Sequence, residues 1–298
     1  PDVILAEFGF HAVRVMDAAR WCGLPLVVHF RGSDASADRR LKLLRERYGR
    51  LIRIASGFVV KSRPMQQVLE KLGASSKRIT ISPSGADPEF FDGADPAAAA
   101  PKVLFVGRLV EKKGPLDALE AFSNVHARLS QSNRPQHLAR SMQFVVLGDG
   151  PLRSVMAHRV AILGLQDHVV FEGLREPAEV AEQMRHCRCL LLPSKTARDG
   201  DSEGCPVVLQ ESQMAGLPVI STFHAGIPEI VIDGETGFLC EEGDVHALAS
   251  AIETLLLNPE QAKAMGLAAE HHARTNFTID HHISAVMSVL SSAIVSNN

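Results

Sequence analysis

Residues 199–211 read Asp-Gly-Asp-Ser-Glu-Gly-Cys-Pro-Val-Val-Leu-Gln-Glu, a polar loop that runs directly into an apolar segment. Pro206 suits the first turn of a helix because its φ is fixed and it has no N–H that needs a partner there. We expect this helix to end near Ala215, since Gly216-Leu217-Pro218 is a typical C-terminal sequence. The stretch therefore predicts a loop-to-helix junction around which the other elements are arranged.

Two glutamates flank the start of this predicted helix, Glu203 before it and Glu211 on its second turn. Helical spacing places Val207, Glu211 and Met214 on one stripe, which we expect to face the core. Gln210 and Gln213 are expected to face away from it. Two glutamates eight residues apart also occur by chance, so the prediction of a site depends on the glycine, the proline and the helix start between them. Free N–H groups at a helix start attract anions, and a ligand with both phosphate and hydroxyl groups fits this layout.

Composition limits the class of protein. The chain has 298 residues, 46% of them hydrophobic, which allows one large or two ordinary domains. Its 31 Lys and Arg nearly balance its 34 Asp and Glu, so we expect local anion sites and no nucleic-acid partner. Five Cys without regular spacing indicate a reducing compartment. We therefore expect a cytoplasmic protein, and a position at the inner face of a membrane stays open.

Strand-like and helix-like segments alternate along the chain without hairpin signals, which favours parallel βαβ units. The predicted strands cover residues 2–6, 26–30, 57–62, 78–82, 103–106, 143–147, 168–171, 187–192 and 219–222. Residues 92–101 form a predicted linker, and residues 130–141 a polar loop. The pattern predicts an α/β protein of two doubly wound parallel-sheet domains, residues 1–96 and 97–279. We expect a last helix, 280–298, to pack back on the first domain.

Distinctive loops follow four strands of the second predicted domain, where open parallel sheets bind their ligands, and the fourth loop leads from Pro193-Ser194 into residues 199–211. Gly107 and Arg108 follow the first strand, with Lys113 in the same loop. Gly148 follows the second strand and Gly173-Leu174 the third. Glycine allows close approach of the backbone to a ligand, and Arg and Lys bind phosphate. Taken alone, Arg108 and Lys113 are equally well explained as ordinary surface cations.

Other ligand motifs do not fit the sequence. Gly148-Asp149-Gly150 begins like a dinucleotide fingerprint, but Arg153 occupies the position of its third glycine. No P-loop occurs. Residues 200–204, Gly-Asp-Ser-Glu-Gly, have the spacing Gly-x-Ser-x-Gly, but they lie within a polar loop and not at a turn from a strand into a helix, so no nucleophile elbow is predicted. The pairs His271-His272 and His281-His282 are adjacent in sequence, which is typical of surface histidines and not of a metal site. We therefore predict no metal ligands.

Taken together, the motifs resemble family 4 glycosyltransferases, the retaining GT-B group. They are Gly-Arg-Leu…Glu-Lys-Lys-Gly over 107–114, Gly-Asp-Gly-Pro over 148–151, the stretch 199–211, His-Ala-Gly-Ile-Pro-Glu over 224–229 and Asp-Gly-Glu-Thr-Gly over 233–237. The likeness covers nearly the whole chain and points to bacterial enzymes that assemble exopolysaccharide or other envelope glycans. It implies a GT-B fold of two Rossmann-like domains.

The resemblance implies retaining, metal-independent transfer of a sugar from a UDP- or GDP-sugar to a saccharide or lipid-linked acceptor, without a cofactor. Arg108 and Lys113 would neutralise the donor diphosphate, helped by the helix N terminus. Glu203 would hold hydroxyl groups of the sugar and Glu211 those of the ribose, while backbone at Gly173-Leu174 would contact the nucleobase. The other donor-binding residues that the resemblance implies are Gly107, Gly148, Gly204, Cys205, Pro206, Val207 and Val208. Peripheral association with a membrane stays open.

The first predicted domain departs from the family pattern. Where the family has Thr-Phe-His-Gly-x-Asp, residues 29–34 read His-Phe-Arg-Gly-Ser-Asp, so Arg31 replaces the usual sugar-contacting His. His29 lies two residues earlier on the same strand face, and either residue could make the catalytic contact, although a structural role for His29 stays open. Only the latter half of the family's usual first domain is present. We therefore expect a truncated N-terminal domain and a chain that is a fragment.

Two other functions stay open. A GT-B sugar-nucleotide epimerase or phosphorylase shares the architecture, and turnover without an acceptor, or a lysine-bound pyridoxal cofactor, would identify one of these. A non-catalytic nucleotide-sugar-binding or partner protein would instead bind the donor without transferring or hydrolysing it.

Overall fold

The computed structural model describes residues 1–36, 38–131 and 135–296. Within these ranges the strands are β1 Ile4–Glu7, β2 Leu26–His29, β3 Gly57–Val60, β4 Ile79–Ile81, β5 Lys102–Val106, β6 Gln143–Leu147, β7 Val169–Gly173, β8 Cys189–Leu191, β9 Val219–Thr222 and β10 Gly237–Cys240. The helices are α1 Gly9–Trp21, α2 Ser33–Ser36, α3 Asp38–Ile54, α4 Arg63–Lys71, α5 Pro115–Leu129, α6 Gln136–Ser141, α7 Arg153–Ile162, α8 Pro177–Arg185, α9 Val207–Ala215, α10 Val245–Leu257, α11 Pro259–Asn276 and α12 Ile279–Val295.

The chain folds into two compact units. Unit 1 consists of residues 1–85, 197–205 and 277–298, and unit 2 of residues 86–196 and 206–276. The strands of unit 1 form a parallel sheet in the order β1-β2-β3-β4, and those of unit 2 a parallel sheet in the order β10-β9-β8-β5-β6-β7. The prediction of two doubly wound α/β domains is confirmed.

In unit 1 the central strands β2 and β3 are buried on both faces, as the apolar runs in the sequence require. Val28 and Phe58 belong to the core that α1, α3 and α4 cover on one side. Val27 and Val59 point to the opposite face because side chains alternate along a strand, and there they pack against Val289 and its neighbours on α12. The last helix of the described chain thus completes the core of unit 1.

Unit 2 has the strand order of a dinucleotide-binding fold. Counted from β5 as its first strand, the order is 3-2-1-4-5-6, with β5 and β8 adjacent at the centre. Val103, Leu104 and Phe105 of β5 are fully buried, and Phe144 of β6 stacks on Phe122 of α5 with ring centroids 5.4 Å apart. Because β5 lies at the centre of the sheet, the loop that follows it lies where the order of the strands reverses direction; we call this point the winding reversal.

The structure corrects three details of the sequence interpretation. β10 was not predicted, and it extends the second sheet to six strands. Gln136–Ser141 forms helix α6, where a polar loop was expected, and its buried Ala139 explains why; residues 132–134 lie outside the described residues. Pro206 precedes helix α9, which begins at Val207, because its ψ of 119° is extended. No helix in the described ranges is long and apolar enough to cross a bilayer.

Candidate functional site

The loop after β5 lies at the winding reversal of unit 2, where sheets of this order bind ligands. It is fixed to the loop after β6, because the N–H of Leu109 donates to the Asp149 carbonyl over 2.9 Å and that of Leu152 to the Leu109 carbonyl over 3.0 Å. It also meets the segment after β8, where the Lys195 N–H donates to the Lys112 carbonyl over 2.9 Å. The loop is therefore held on both sides by backbone contacts.

Three glycines allow this close arrangement of loops. Gly107 donates its N–H to the Leu147 carbonyl, and Gly148 donates to the Gly173 carbonyl over 2.6 Å. A Cβ at Gly148 would lie 2.0 Å from the carbonyl oxygen of Gly107, a distance that no side chain tolerates. Gly173 has a φ of +72°, and the Leu174 side chain that follows it is exposed. The predicted glycines 107, 148 and 173 thus lie together at one edge of the sheet.

Lys113 and Glu211 are also brought together in unit 2. A Cβ at Gly107 would lie 3.6 Å from Cδ of Lys113, so the lysine side chain runs beside the end of β5. Burial raises the pKa of Glu211, on α9, to about 7, while the nearby charge of Lys113 acts in the opposite direction. Arg108, in the same loop, is exposed. A cation and a carboxyl group of altered acidity therefore lie at the winding reversal.

Helix α9 is buried on more sides than its sequence suggests. Gln213 is fully buried and Val207 is partly exposed, so the stripe predicted from spacing is wrong. Gln213 is accommodated because its Nε2 donates to the Ile230 carbonyl over 2.8 Å. In the described part of the chain no side chain caps the N terminus of α9, at Pro206, Val207 and Val208. A ligand can therefore bind the N–H groups of the first turn without displacing a capping side chain.

Side-chain hydrogen bonds connect the loops after β8, β9 and β10. Nδ1 of the buried His224 and Oε1 of Glu242 are 2.5 Å apart, and Oε2 of Glu242 accepts the Thr196 N–H over 2.8 Å. Lys195 is held by Asp117 at 2.7 Å. The sequence indicated His224 only through its motif, and nothing indicated Glu242. These contacts position the segment that leads from β8 toward residues 199–211.

In unit 1 the predicted residues His29 and Arg31 share a partner, Glu7, that the sequence analysis missed. Nδ1 of His29 lies 3.3 Å from one Glu7 oxygen, and Nη1 of Arg31 donates to the other over 3.0 Å. Glu7 ends β1 next to His29 in the parallel register, which was the available signal. Partial burial opposes ionisation of Glu7, but its interactions with His29 and Arg31, which include a hydrogen bond to each, outweigh the burial and lower the pKa of Glu7.

Buried basic groups surround this carboxylate. His29 is 1% exposed, and burial together with the nearby Lys61 charge lowers its pKa to about 4. Lys61 is 2% exposed, and burial with the Arg31 charge lowers its pKa to about 8. The same effects bring the pKa of His282, whose Nδ1 lies 2.7 Å from Ser82 Oγ, to about 4. Neither Nε2 of His29 nor Nζ of Lys61 has a hydrogen-bond partner in the described ranges.

The loop after β2 is shaped by Asp34. This buried carboxylate accepts backbone N–H groups of Gly9, over 2.9 Å, Gly32, over 2.8 Å, and Arg31, over 3.1 Å. Burial raises the pKa of Asp34 despite these bonds. Asp34 was noted only as part of a motif, and its geometry assigns it the role of holding the Arg31 backbone.

The stretch 199–211 is divided between the two units. Residues up to Cys205 belong to unit 1, so Glu203, Gly204 and Cys205 lie there, whereas Pro206 and Glu211 belong to unit 2. Within unit 1 a Cβ at Gly204 would lie 3.0 Å from Met65 Sδ and 3.4 Å from Gly32 Cα. Gly204 therefore packs against the loop that carries Arg31. Across the described ranges, no group of three or more His, Cys, Asp or Glu side chains is arranged to hold a metal ion.

Comparison with known proteins agrees with this architecture. Residues 88–272 match the family model described as glycosyl transferases group 1. The chain is 31% identical over 281 residues to the amylovoran biosynthesis glycosyltransferase AmsK of Erwinia amylovora, covering 93% of this chain and 66% of AmsK. It is 30% identical over 256 residues to the putative colanic acid biosynthesis glycosyltransferase WcaL of Escherichia coli, covering 84% of this chain and 60% of WcaL. The chain thus spans less than two thirds of the length of these relatives.

Solved structures share the fold. Anabaena HepE in complex with UDP and glucose superposes with a TM-score of 0.81 at 21% identity, over 98% of this chain and 78% of HepE. The sucrose-phosphate synthase of Thermosynechococcus elongatus gives a TM-score of 0.81 at 18% identity, over 99% of this chain and 74% of the synthase. At these identities the likeness establishes the fold, and the GT-B prediction is confirmed.

Proposed function

Because this chain belongs to the glycosyl transferases group 1 family, we propose that it transfers a sugar from a nucleoside diphosphate sugar to a glycan or lipid-linked acceptor. AmsK and WcaL bear names from exopolysaccharide biosynthesis, and a HepE structure contains UDP and glucose. These names support a UDP-sugar as donor and an exopolysaccharide as product.

One observation carries the proposal. At the winding reversal of unit 2, Lys113 lies beside Gly107, the residue after β5, and acts electrostatically on Glu211 of α9. A diphosphate needs a cation and N–H donors, and a ribose needs a group that binds two hydroxyls. Lys113, the uncapped start of α9 and Glu211 supply these three functions within one unit.

Each residue of unit 2 then has a role. Lys113 and the exposed Arg108 would neutralise the diphosphate, which makes a metal ion unnecessary for this purpose. The amides of Val207 and Val208 would bind phosphate oxygens. With a pKa of about 7, Glu211 can both donate to and accept from ribose hydroxyls near neutral pH. The backbone at Gly173-Leu174 would contact the base, helped by the left-handed φ of the glycine.

Unit 1 carries three further predicted residues. Glu203 would hold hydroxyls of a sugar. Arg31 is fixed by Glu7 and by the contacts of Asp34, so it keeps a positive charge that would stabilise a negatively charged group. His29, with its pKa near 4, is neutral at physiological pH and offers its Nε2 as a hydrogen-bonding group.

The proposed chemistry retains the configuration of the anomeric carbon. The bond between this carbon and the leaving phosphate oxygen breaks, and the acceptor oxygen forms its bond on the same face. The acceptor proton passes to the leaving diphosphate, so no protein base is required. Lys113 and Arg108 favour this course because they stabilise the negative charge that the departing diphosphate gains.

Donor binding tests the site directly. We expect UDP- or GDP-sugars to raise the thermal unfolding temperature of the protein, and we expect Arg108→Ala and Lys113→Ala each to remove most of this shift. Loss of one charged donor costs about 3–4 kcal/mol in the transition state, so turnover should fall about a hundred- to a thousand-fold. Arg159→Ala, on α7, is the matched control, because Arg159 pairs with Glu120 on the surface.

The products separate the proposal from its rivals. Transfer of sugar to an added glycan with retained configuration supports the proposal. Donor turnover that needs no acceptor and gives an epimeric nucleotide sugar would identify an epimerase. Donor binding without transfer or hydrolysis would identify a binding protein. If the donor raises the unfolding temperature of Arg108→Ala and Lys113→Ala as much as that of the wild type, the residue assignment is refuted even if transfer occurs.

A further inference from the structure

Several basic side chains lie together at the carboxyl ends of the strands of unit 1. His29 ends β2, Lys61 follows β3, and His282 of α12 has its ring centroid 5.3 Å from that of His29. The charge of Lys61 acts on both histidines. Arg31 and its partner Glu7 complete the group, which we call the basic cluster. Parallel α/β sheets bind their ligands at this edge, so the basic cluster occupies a position where a ligand is expected.

The basic cluster has an exposed rim and a buried interior. The side chains of Glu7 and Arg31 are 42% and 41% exposed, whereas Lys61 is 2% exposed and His29 is 1% exposed. Over residues 1–36, 38–131 and 135–296, neither Nζ of Lys61 nor Nε2 of His29 has a hydrogen-bond partner. A buried cation without a partner is costly, and a ligand that supplies the partner removes this cost.

The contacts of Glu7 indicate which chemical group the basic cluster accepts. Its carboxylate is held by two bases, because Nδ1 of His29 lies 3.3 Å from one oxygen and Nη1 of Arg31 donates to the other over 3.0 Å. The planar guanidinium of Arg31 has a second edge that can bind another carboxylate, and Lys61 adds an ammonium group. A second carboxylate would therefore meet two cations whose charges act on each other.

The net charge of the basic cluster favours a carboxylate over a phosphate monoester. Near neutral pH Glu7 is ionised, since its pKa is lowered, and His29 and His282 are neutral, since burial and nearby cations bring their pKa values to about 4. Lys61, with a pKa of about 8, and Arg31 are cations. Two cations and one carboxylate leave a single positive charge. A carboxylate balances it, whereas a phosphate monoester, with a charge of about −1.5 to −2, would leave an excess of buried negative charge.

We propose that Lys61 and Arg31 bind the carboxylate of a uronic acid, and that the acceptor of the transferred sugar is therefore an acidic glycan. His29 would contact the same sugar: with Nδ1 facing Glu7 as the protonated nitrogen, Nε2 can accept a hydrogen bond from a hydroxyl group. This inference rests on the proposed transfer reaction, in which residues of unit 2 hold the donor, and it names the class of acceptor that unit 1 would bind.

Binding of small glycosides tests the proposal without any donor. The methyl glycosides of glucuronic acid and of glucose differ in the carboxylate, so they form a matched pair of ligands. We expect the glucuronoside to bind about ten- to a hundredfold more tightly in isothermal titration calorimetry, the factor that a hydrogen bond to a charged group supplies. Glucose phosphate, the third ligand, should bind more weakly than the glucuronoside.

Lys61→Met isolates the lysine. The variant should bind the glucuronoside about ten- to a hundredfold more weakly than the wild type does, with no change in binding of the glucoside. Because the substitution removes a buried charge without a partner, the variant should fold and should resist urea at least as well as the wild type, so loss of structure would not explain the loss of binding. Lys77→Met, at an exposed position of the same unit, is the matched control and should bind as the wild type does.

Three binding results would overturn the proposal: equal affinity for the two glycosides, an unchanged affinity of Lys61→Met for the glucuronoside, or tighter binding of glucose phosphate. Transfer to neutral glycans as efficient as transfer to glycans that contain uronic acid would also overturn it, and would leave the transfer reaction itself intact. Glucuronoside binding that depends on Lys61, in a protein that transfers no sugar, would support the carboxylate site and refute the transfer reaction.

Discussion

The carbonyl oxygen of Gly107 lies where a side chain of Gly148 would have to begin, since a Cβ there would be 2.0 Å away. The same pair joins three loops, because Gly107 donates to the Leu147 carbonyl and Gly148 to the Gly173 carbonyl. The edge of unit 2 at which we propose that the donor binds therefore depends on the absence of one methyl group at position 148.

Replacing Gly148 by alanine should destabilise unit 2 by several kcal/mol and weaken donor binding. The methyl group would meet backbone atoms, which cannot move aside as a flexible side chain can, and the φ of +130° adds strain. Gly164→Ala is the control: its φ of +67° is also left-handed, but no atom lies within 4 Å of the added Cβ. Chemical denaturation should show a loss of only about 1–2 kcal/mol there. Equal losses would contradict the steric account.

Glu211 should make stability decrease as pH rises. Its pKa is about 7 in the folded protein and 4.5 ordinarily, so the folded state binds the extra proton between these values. The free energy of unfolding should therefore fall across that window, by on the order of 2 kcal/mol, and Glu211→Gln should remove the fall. Denaturation curves below pH 4.5 and above pH 7 measure it. The exposed Glu89→Gln is the control, and a wild-type-like slope in Glu211→Gln would contradict the assignment.

Lys61 should limit stability at neutral pH. Its folded pKa of about 8 lies below its ordinary 10.5, so the unfolded state binds more protons between these values. Stability should rise with pH through this window, and the full penalty applies below pH 8. Lys61→Met should raise the free energy of unfolding at neutral pH by about 3 kcal/mol. Lys77→Met, at an exposed position, should change it little. Destabilisation by Lys61→Met would show that the lysine has a partner in solution.

Asp34→Ala should cost about 3 kcal/mol or more of stability. The substitution leaves the backbone N–H groups of Gly9, Arg31 and Gly32 without their shared acceptor in a buried setting. Asp87→Ala is the comparison, because Asp87 accepts one N–H, from Glu89, at an exposed site and should cost less than about 1 kcal/mol. Thermal and urea unfolding measure both variants. A cost for Asp34→Ala no larger than that for Asp87→Ala would remove its role in holding the Arg31 loop.

Alternating strands and helices were predictable from sequence because buried parallel strands appear as short continuous apolar runs. Lys113 and Glu211 were predicted as site residues because loop glycines mark the ends of strands and a proline marks the start of a helix. β10 was missed because Gly237–Cys240 is short and follows turn residues that hid its apolar run. Gln213 was misplaced because its buried partner, Ile230, lies 17 residues away, and helical spacing contains no information about such a contact.

The contacts of Glu7 were also not predictable from the sequence. Its two partners, His29 and Arg31, lie 22 and 24 residues further along the chain, and only the register of β1 and β2 brings them together. A carboxylate at a strand end is a weak signal in sequence. The role of Glu7 becomes visible only in the structure, where the end of β2 places His29 and Arg31 beside it.

The position of α12 determines the order in which the protein can mature on the ribosome. Val27 and Val59 precede unit 2 in the chain, but the side chains that cover them come from residues near 286–293, which follow all of unit 2. A nascent chain must therefore carry this apolar face of the first sheet uncovered while unit 2 is synthesised. Unit 2 can reach its native state first, and the core of unit 1 is completed only when α12 emerges.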